Sequence, residues 1–222
     1  MTTVAFIGTG FIGSTVARLA VDAGHDVVLA NSRGPQTLTE LVDQLGPRAR
    51  AATAVEAAEA GDLVVVSVPF KAYRDLPADR LAGKVVLDTN NYYPDRDGHV
   101  AALDEGTTTS AELEQEHLVG ARLVKAFNSI YYRHLAALAR PAGAPDRSAL
   151  PIAGDDADAK AQAHTFLDSI GYDAVDVGPL AQSWRVEPGA PAYGTPYGSF
   201  EDPSGTPAPV AAVREAVAAA SR

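Results

Sequence analysis

Short apolar runs alternate along the chain with segments that have the polar and apolar spacing of helices. Apolar runs of this length bounded by turn residues are typical of strands, and their alternation with helices indicates βαβ units. The run at 63–68 has almost no polar alternation, as expected of a central strand covered on both faces. The pattern predicts an α/β fold with a mainly parallel sheet, its strands lying at 4–7, 26–30, 50–52, 63–68, 84–87, 122–127, 150–153 and 174–177.

Helix boundary signals fall between these runs. Gly24 is placed to close the first helix, and Thr53 with Glu56 forms a capping-box pattern. Asp155 is predicted to cap a later helix that runs to Gly171. These signals support the division of the chain into alternating strands and helices.

The composition changes after Trp184. The segment 187–209 is rich in Pro, Gly and Tyr and has no clear period, and the Ala-rich segment 209–221 favours a helix. We therefore divide the chain into a nucleotide-binding domain at 1–180 and a C-terminal tail at 181–222. The tail is interpreted as a lid or a subunit contact, with a poorly ordered tail as the alternative.

Charge and composition limit the classes of function. The formal net charge is −10 with a pI of about 4.9, which argues against binding to nucleic acid. The chain has no cysteine, and its five histidines lie far apart, so no metal site is predicted. No targeting segment or membrane span is visible in the sequence, which favours a cytoplasmic protein.

A glycine turn follows the first apolar run. Gly8, Gly10 and Gly13 form the pattern Gly-Thr-Gly-Phe-Ile-Gly between that run and an amphipathic helix. The first glycine permits a tight turn, the second lets a pyrophosphate reach the backbone, and the third lets helix and strand pack closely. The turn predicts a dinucleotide site. The alternative is a glycine turn in an α/β fold that binds no nucleotide.

The end of the second run indicates which dinucleotide is bound. An NAD enzyme normally has Asp or Glu there to hold the ribose hydroxyls, whereas this chain has Asn31, Ser32 and Arg33. A carboxylate would repel a 2′-phosphate, but Arg offers a planar pair of donors and Ser a hydroxyl. We therefore predict NADP(H) as the cofactor. The alternative for Arg33 is a solvated loop arginine.

Three later strand ends are candidates for the chemical site, since ligands gather at the carboxyl ends of parallel strands. The apolar segment 67–70 is placed to wall the nicotinamide. The polar segment 88–93 is either a turn or part of the pocket. In 125–132, Asn128 is placed to point into the cleft, and Tyr131 and Tyr132 offer stacking faces or simply pack in the core.

An obvious proton donor is missing from these segments. The chain has no Tyr-x-x-x-Lys pair, and His134 is either a donor at the cleft or a solvated or core-edge histidine. A reaction that needs two rings held face to face, with direct hydride transfer, fits such a site.

The ordered set of motifs resembles the NADPH:coenzyme F420 oxidoreductase family. The motifs are GTGFIG, NSRGP, VVVSVP, LVKAFN, PIAGDD and DAVDVGPL, between Val4 and about Leu180. The resemblance implies an eight-stranded, doubly wound Rossmann-like sheet with a small C-terminal segment, a homodimer, and hydride transfer between NADP and a 5-deazaflavin carrier.

The resemblance also implies roles for individual residues. Thr9, Gly10, Phe11 and Ile12 would hold the pyrophosphate. Ser32 and Arg33 would hold the 2′-phosphate, with Val68 and Pro69 along the cofactor. The deazaflavin would be surrounded by Asn128, Tyr131, Tyr132 and the turn formed by Gly178, Pro179 and Leu180.

The leading hypothesis is therefore an NADPH-dependent oxidoreductase with a deazaflavin, or else a flavin, as its hydride partner. A second hypothesis is the reduction of a small imine or carbonyl compound or a ferric acceptor, with a tyrosine or His134 as proton source. A third is a protein that senses NADPH without turnover.

Overall fold

A single sheet of eight strands organises the computed structural model, which describes residues 2–222. The spatial order of the strands is β3-β2-β1-β4-β5-β6-β7-β8, and every neighbouring pair is parallel except β6 with β7. The predicted doubly wound, mainly parallel α/β fold is confirmed. The strands are β1 (Thr3–Ile7), β2 (Asp26–Ala30), β3 (Ala49–Ala51), β4 (Leu63–Val66), β5 (Val85–Asp88), β6 (Arg122–Lys125), β7 (Ala149–Gly154) and β8 (Asp173–Gly178).

Every predicted apolar run overlaps one of these strands, and the differences lie at the strand ends. The runs 63–68 and 122–127 extend two residues beyond β4 and β6. These extra residues are apolar or half-buried because they continue past the sheet into the loops where its parallel strands end. The extra residues of these two runs therefore lie outside the sheet but remain packed against the rest of the protein.

Helices cover both faces of the sheet. Alternate residues of β1 point to opposite sides: Val4 and Phe6 join one apolar cluster, and Ala5 and Ile7 join the other. No helix within residues 2–222 has the length and apolar character needed to cross a bilayer. The helices are α1 (Phe11–Asp22), α2 (Thr39–Leu45), α3 (Ala54–Ala60), α4 (Ala78–Leu81), α5 (Pro94–Asp97), α6 (Ala101–Asp104), α7 (Ser110–His117), α8 (Tyr132–Ala137), α9 (Ala157–Ser169) and α10 (Val210–Ala218).

The helix caps agree with the sequence except at α9. Thr53 and Glu56 form the predicted capping box of α3. The prediction for Asp155 is wrong, because the carboxylate that accepts the N–H of Ala159 belongs to Asp156, at 2.7 Å. Asp155 instead accepts the backbone N–H of Leu180 at 2.9 Å. Its side chain thus fixes the turn after β8 rather than the start of α9.

The C-terminal tail packs into the core beside β7. Tyr197 is fully buried, and its hydroxyl donates to the carbonyl of Ala149 at 2.8 Å. The N–H of Ala149 donates to the carbonyl of Ala208 at 2.8 Å. Tyr197, Ala208 and Val213 belong to the same apolar cluster as β1 and α9. The tail therefore completes one face of the sheet rather than hanging free in solvent.

Candidate functional site

A cavity of about 630 Å³ opens where the parallel strands β1, β4, β5 and β6 end. This size lies within the range of roughly 300–1,000 Å³ that is common for small-molecule sites. Its walls come from distant parts of the chain: Phe11, Ile12, Ser67, Val68, Pro69, Thr89, Asn90, Asn91, Tyr93, Arg96, Phe127, Asn128, Ser129, Ile130, Tyr131, Tyr132, Tyr193, Gly194 and Phe200.

The glycine turn (residues 8–13) has the close packing that requires glycine. Gly8 has a φ of +104°, and a Cβ there would lie 2.0 Å from the carbonyl oxygen of Ser67. A Cβ on Gly13 would lie 2.2 Å from the carbonyl oxygen of Gly8. Beside Gly10, by contrast, a Cβ would meet nothing within 4 Å. The turn is therefore tight against β4 on one side and open on the side from which a ligand would approach the backbone.

The first turn of α1 fits an anionic group. Gly10, which precedes the helix, has no side chain to cap it, and the first turn has no acidic residue. The hydroxyls of Ser14 and Thr15 donate back to the carbonyls of Gly10 and Phe11, at 2.8 and 2.7 Å. The uncapped N–H groups and the helix dipole remain available for a phosphate. These residues therefore fit the pyrophosphate of a dinucleotide.

The predicted 2′-phosphate residues lie at the end of β2, outside the lining of the cavity. Ser32 and Arg33 are exposed, and the Arg33 guanidinium has no hydrogen-bond or ion-pair partner among residues 2–222. The Asn31 side chain accepts the N–H of Arg33 at 3.0 Å and donates to the hydroxyl of Thr37 at 2.9 Å. Asn31 therefore shapes the loop that presents the other two residues.

Asn128 lies in the cavity wall, as predicted, after a backbone turn at Phe127. Phe127 has a φ of +63°, a conformation that non-glycine residues rarely adopt. The Asn128 amide nitrogen donates to the carbonyl of Val186 at 2.8 Å and to the side-chain oxygen of Asn91 at 3.1 Å. The Asn91 amide in turn donates to the Asn128 carbonyl at 2.8 Å. Asn128 thus joins the ends of β5 and β6 to the start of the tail.

Aromatic side chains form the opposite wall. Phe11 and Tyr132 stack with ring centroids 4.5 Å apart and planes at 14°, and Tyr131 meets Phe200 edge-on at 5.3 Å. The hydroxyl of Tyr132 accepts the Nε–H of Arg133 at 3.0 Å, and this hydrogen bond lowers the pKa of Tyr132. Both predicted tyrosines therefore line the cavity with their rings in contact with other rings.

Further cavity residues were not identified from the sequence. The tail contributes Tyr193, Gly194 and Phe200, and the α5 region contributes Arg96, whose guanidinium lies 4.9 Å from the ring centre of Tyr93. The Tyr-rich composition of the tail was the feature of the sequence that could have indicated its contribution to the cavity lining. For the segment 88–93, whose role the sequence left open, the structure shows that most residues line the cavity.

Leu180, which the resemblance placed at the deazaflavin, and His134, whose role the sequence left open, also lie outside the cavity lining. Leu180 does not line the cavity: it is 1% exposed and packs in the apolar cluster on one face of the sheet. Its backbone is held by Asp155 and by the hydroxyl of Thr109, which donates to the Leu180 carbonyl at 3.1 Å. His134 is fully buried outside the cavity lining, and its Nε2 donates to the carbonyl of Asp202 at 2.7 Å. It therefore anchors the tail and is no proton source for the cavity.

A buried charged cluster lies behind the cavity wall. Asp88, Lys125 and Glu114 are each fully buried. The Lys125 ammonium donates to the Asp88 carboxylate at 2.7 Å and to the carbonyl of Asn90 at 2.5 Å. Burial, followed by the charge of Asp88, raises the pKa of Glu114 well above its ordinary value. Burial alone would lower the pKa of Lys125, but the charges of Asp88 and Glu114 raise it.

Comparison with known proteins gives a consistent result. Residues 3–92 match the family model described as NADP oxidoreductase, coenzyme F420-dependent. The chain is 30% identical over 188 residues to the metalloreductase STEAP3 of Rattus norvegicus, a match that covers 83% of this chain and 35% of the relative. It therefore spans about a third of that protein's length.

Two solved structures share most of the chain. A hypothetical protein from Sinorhizobium meliloti is 31% identical, with a TM-score of 0.73 over 85% of this chain and 91% of the other. A candidate F420-dependent NADP reductase from Arthrobacter is 26% identical, with a TM-score of 0.70 over 82% of this chain and 87% of the other. The first part of the chain thus resembles the family that the model describes, and most of the chain shares the fold of these two structures.

Proposed function

We propose that this oxidoreductase transfers hydride between NADP(H) and a deazaflavin coenzyme of the F420 type. The observation that carries the proposal is the cavity, which joins the end of the glycine turn to an aromatic wall. Val68 and Pro69 form an apolar surface for one ring, and Tyr131, Tyr132 and Phe200 offer faces for a second. Two planar rings held against each other need orientation more than acid–base assistance for direct hydride transfer.

The chemistry of the lining supports this reaction class. Within residues 2–222, the cavity lining has no His, Asp, Glu or Lys side chain. Reduction of an imine or carbonyl compound requires a proton donor, and the strongest acids that the lining offers for that role are its tyrosine hydroxyls, beside serine and threonine hydroxyls and the Arg96 guanidinium. The hydroxyl of Tyr132 is bonded to Arg133, and that of Tyr193 to Tyr93. Transfer to a second ring system, with no proton delivered by the protein, suits this set of groups better.

A second candidate rests on the likeness to the rat metalloreductase. It would place a flavin in the same cavity and a ferric complex as the final electron acceptor. The present chain matches 35% of that relative. The two candidates share the same site for NADP(H) and differ in what the aromatic wall holds.

An acceptor panel tests the proposal. NADPH is supplied with oxidised F420, FMN, FAD, a ferric chelate or a cyclic imine, and its absorbance is followed with and without the protein. We expect the highest kcat/KM with the deazaflavin, and the reverse reaction with reduced F420 and NADP. Turnover of ferric chelate only in the presence of a flavin would support the second candidate instead. The proposed homodimer is checked on the same preparation by its sedimentation mass.

A further inference from the structure

Asn90 lies in the cavity wall with all four of its polar groups bonded. Its N–H donates to the Asp88 carboxylate at 2.7 Å, and its carbonyl accepts from Lys125 at 2.5 Å. Its side-chain amide donates to Glu114 at 3.0 and 3.2 Å. Its side-chain oxygen accepts the N–H of Val68 at 2.9 Å. Three of its four polar groups bond to ionisable side chains that are fully buried, so this residue is held from several sides.

The bond to Val68 is the one that reaches the active face. Val68 follows β4 and lines the cavity with Pro69, so its N–H belongs to the segment on which we place the nicotinamide ring. The neighbouring N–H groups of Ser67 and Thr89 bond to carbonyls of the adjacent strands, those of Ile7 and Val66. Val68 lies after the end of β4, so its N–H has no strand carbonyl to bond and donates to the Asn90 side chain instead.

The other side of the same segment rests on the glycine turn. The carbonyl of Ser67 approaches Gly8 so closely that a Cβ on Gly8 would lie 2.0 Å from it, and the Ser67 Cβ would lie 3.2 Å from one on Gly13. The segment 67–68 is therefore fixed between the glycine turn and Asn90. Its position sets the separation between the pyrophosphate end and the nicotinamide end of the cofactor site.

We propose that Asn90 is a positioning residue, held by the buried cluster of Asp88, Lys125 and Glu114, that fixes the Val68 backbone for hydride transfer. This inference rests on the proposed placement of the nicotinamide against Val68. Burial of three ionisable side chains costs free energy that burial of apolar side chains would not cost. In return, their hydrogen bonds hold Asn90 in a single geometry. Asn90 thereby acts on the reaction through Val68 and needs no contact with the reacting atoms.

A polarity exchange tests the inference. Asn90→Ala removes the acceptor for the Val68 N–H. In Asn90→Asp/Glu114→Gln, one oxygen of the new carboxylate can still accept from Val68, and the other can accept from the new amide. The exchange keeps one carboxyl, one amide and the bonds between them, and swaps their positions. Glu116→Gln is the matched control, because Glu116 is an exposed residue of the same helix α7.

The first readout does not depend on the acceptor. Amide hydrogen exchange at Val68 should be faster in Asn90→Ala and return to the wild-type rate in the exchange variant. Asn90→Ala should also weaken NADPH binding while the affinity for 2′,5′-ADP, which lacks the nicotinamide half, stays unchanged. If wild-type protein binds 2′,5′-ADP and NADPH with equal affinity, the proposed nicotinamide site is wrong, whatever Asn90 does.

The second readout is the single-turnover rate of NADPH oxidation with the best acceptor of the panel. A displacement of about 1 Å can cost roughly a hundredfold in rate, so we expect a loss of that order in Asn90→Ala and recovery in the exchange variant. Should Asn90→Ala fail to fold, the exchange variant decides alone. Wild-type rates in Asn90→Ala would overturn the inference. An exchange variant that binds 2′,5′-ADP normally, protects Val68 and yet stays slow would overturn it as well.

Discussion

The hydroxyl oxygen of Tyr93 lies 2.5 Å from that of Tyr193. The first residue follows β5 and the second belongs to the tail, so this bond closes the cavity between two segments that are 100 residues apart in the chain. Burial is the main cause that raises the pKa of Tyr193. The Tyr193 hydroxyl therefore stays protonated at neutral pH.

Substitution of Tyr193 by Phe should impair binding of the second substrate. The change removes one hydrogen bond, worth about 0.5–1.5 kcal/mol, from the wall that faces the acceptor. We expect the KM for the acceptor to rise by roughly threefold to tenfold, with the KM for NADPH unchanged. Tyr92→Phe is the matched control, since the Tyr92 hydroxyl bonds to Asp104 away from the cavity lining. An equal rise in the KM for NADPH would contradict this assignment.

Substitution of Tyr197 by Phe should destabilise the whole fold. The Tyr197 hydroxyl is the donor that reaches the carbonyl of Ala149 in β7, and both residues are fully buried. Loss of a buried partner costs about 1–3 kcal/mol. We expect a drop of that size in the free energy of unfolding, measured by urea titration, and no comparable drop for Thr195→Ala at an exposed position of the tail. A smaller effect than that of the control would mean that the tail adds little to the core.

Local sequence signals predicted the strands of the fold, but they did not predict how the tail packs. The strands and the glycine turn depend on residues that are close together in the chain. Their positions could therefore be predicted without knowing which distant residues are in contact. The hydrogen bond between Tyr93 and Tyr193 joins segments far apart in the chain, and no periodicity records it. The two adjacent residues Asp155 and Asp156 show the same limit, because a contact with Leu180, 25 residues later, decides which of them remains to cap α9.

Within the candidate site, the sequence predicted the backbone shape of the glycine turn. A glycine is recognisable in the sequence where a Cβ would clash with the backbone, and Arg33 is recognisable because it follows a strand directly. Leu180 was misplaced because the resemblance gave its position in the chain but not the side of the sheet on which it is buried. The cluster around Lys125 was missed because a lysine at a strand end looks exposed until its carboxylate partners are known.

Substitution of Arg33 by Ala should change cofactor preference. The guanidinium of Arg33 has no partner among residues 2–222 and is the proposed ligand of the 2′-phosphate. Hydrogen bonds to charged groups contribute about 1.5–3 kcal/mol. The KM for NADPH should rise by roughly tenfold to a hundredfold, with little change for NADH. Arg214→Ala on α10 removes the same charge from an exposed position of the tail and should leave both values unchanged. Equal effects of Arg33→Ala on the two cofactors would remove Arg33 from the site.

Substitution of Asn128 by Ala should slow hydride transfer and spare NADPH binding. The Asn128 amide holds both Val186 and Asn91, so its loss loosens the wall that faces the second ring. We expect kcat to fall by roughly tenfold to a hundredfold, since two buried hydrogen bonds are lost. Ser183→Ala removes a buried hydroxyl outside the cavity lining and is the control. Unchanged kcat in Asn128→Ala would show that Asn128 has no part in the reaction.

The buried Glu114 should make the stability of the protein depend on pH. Because burial and then the charge of Asp88 raise the pKa of Glu114 in the folded state, the folded protein holds this proton more tightly than the unfolded chain, whose Glu titrates near 4.5. The resulting stabilisation is fully present below about pH 4.5 and is lost as the pH rises through the folded-state pKa.

Glu114→Gln should remove this dependence, because the amide mimics the protonated acid and does not titrate. Between pH 5 and the folded-state pKa of Glu114, the free energy of unfolding of the wild type should fall relative to that of Glu114→Gln, by at most about 1.4 kcal/mol per pH unit. Urea titrations at several pH values measure the difference, with Glu116→Gln as the exposed control. A constant difference between the wild type and Glu114→Gln over this range would mean that Glu114 is ionised throughout, and the buried cluster would then have a net negative charge.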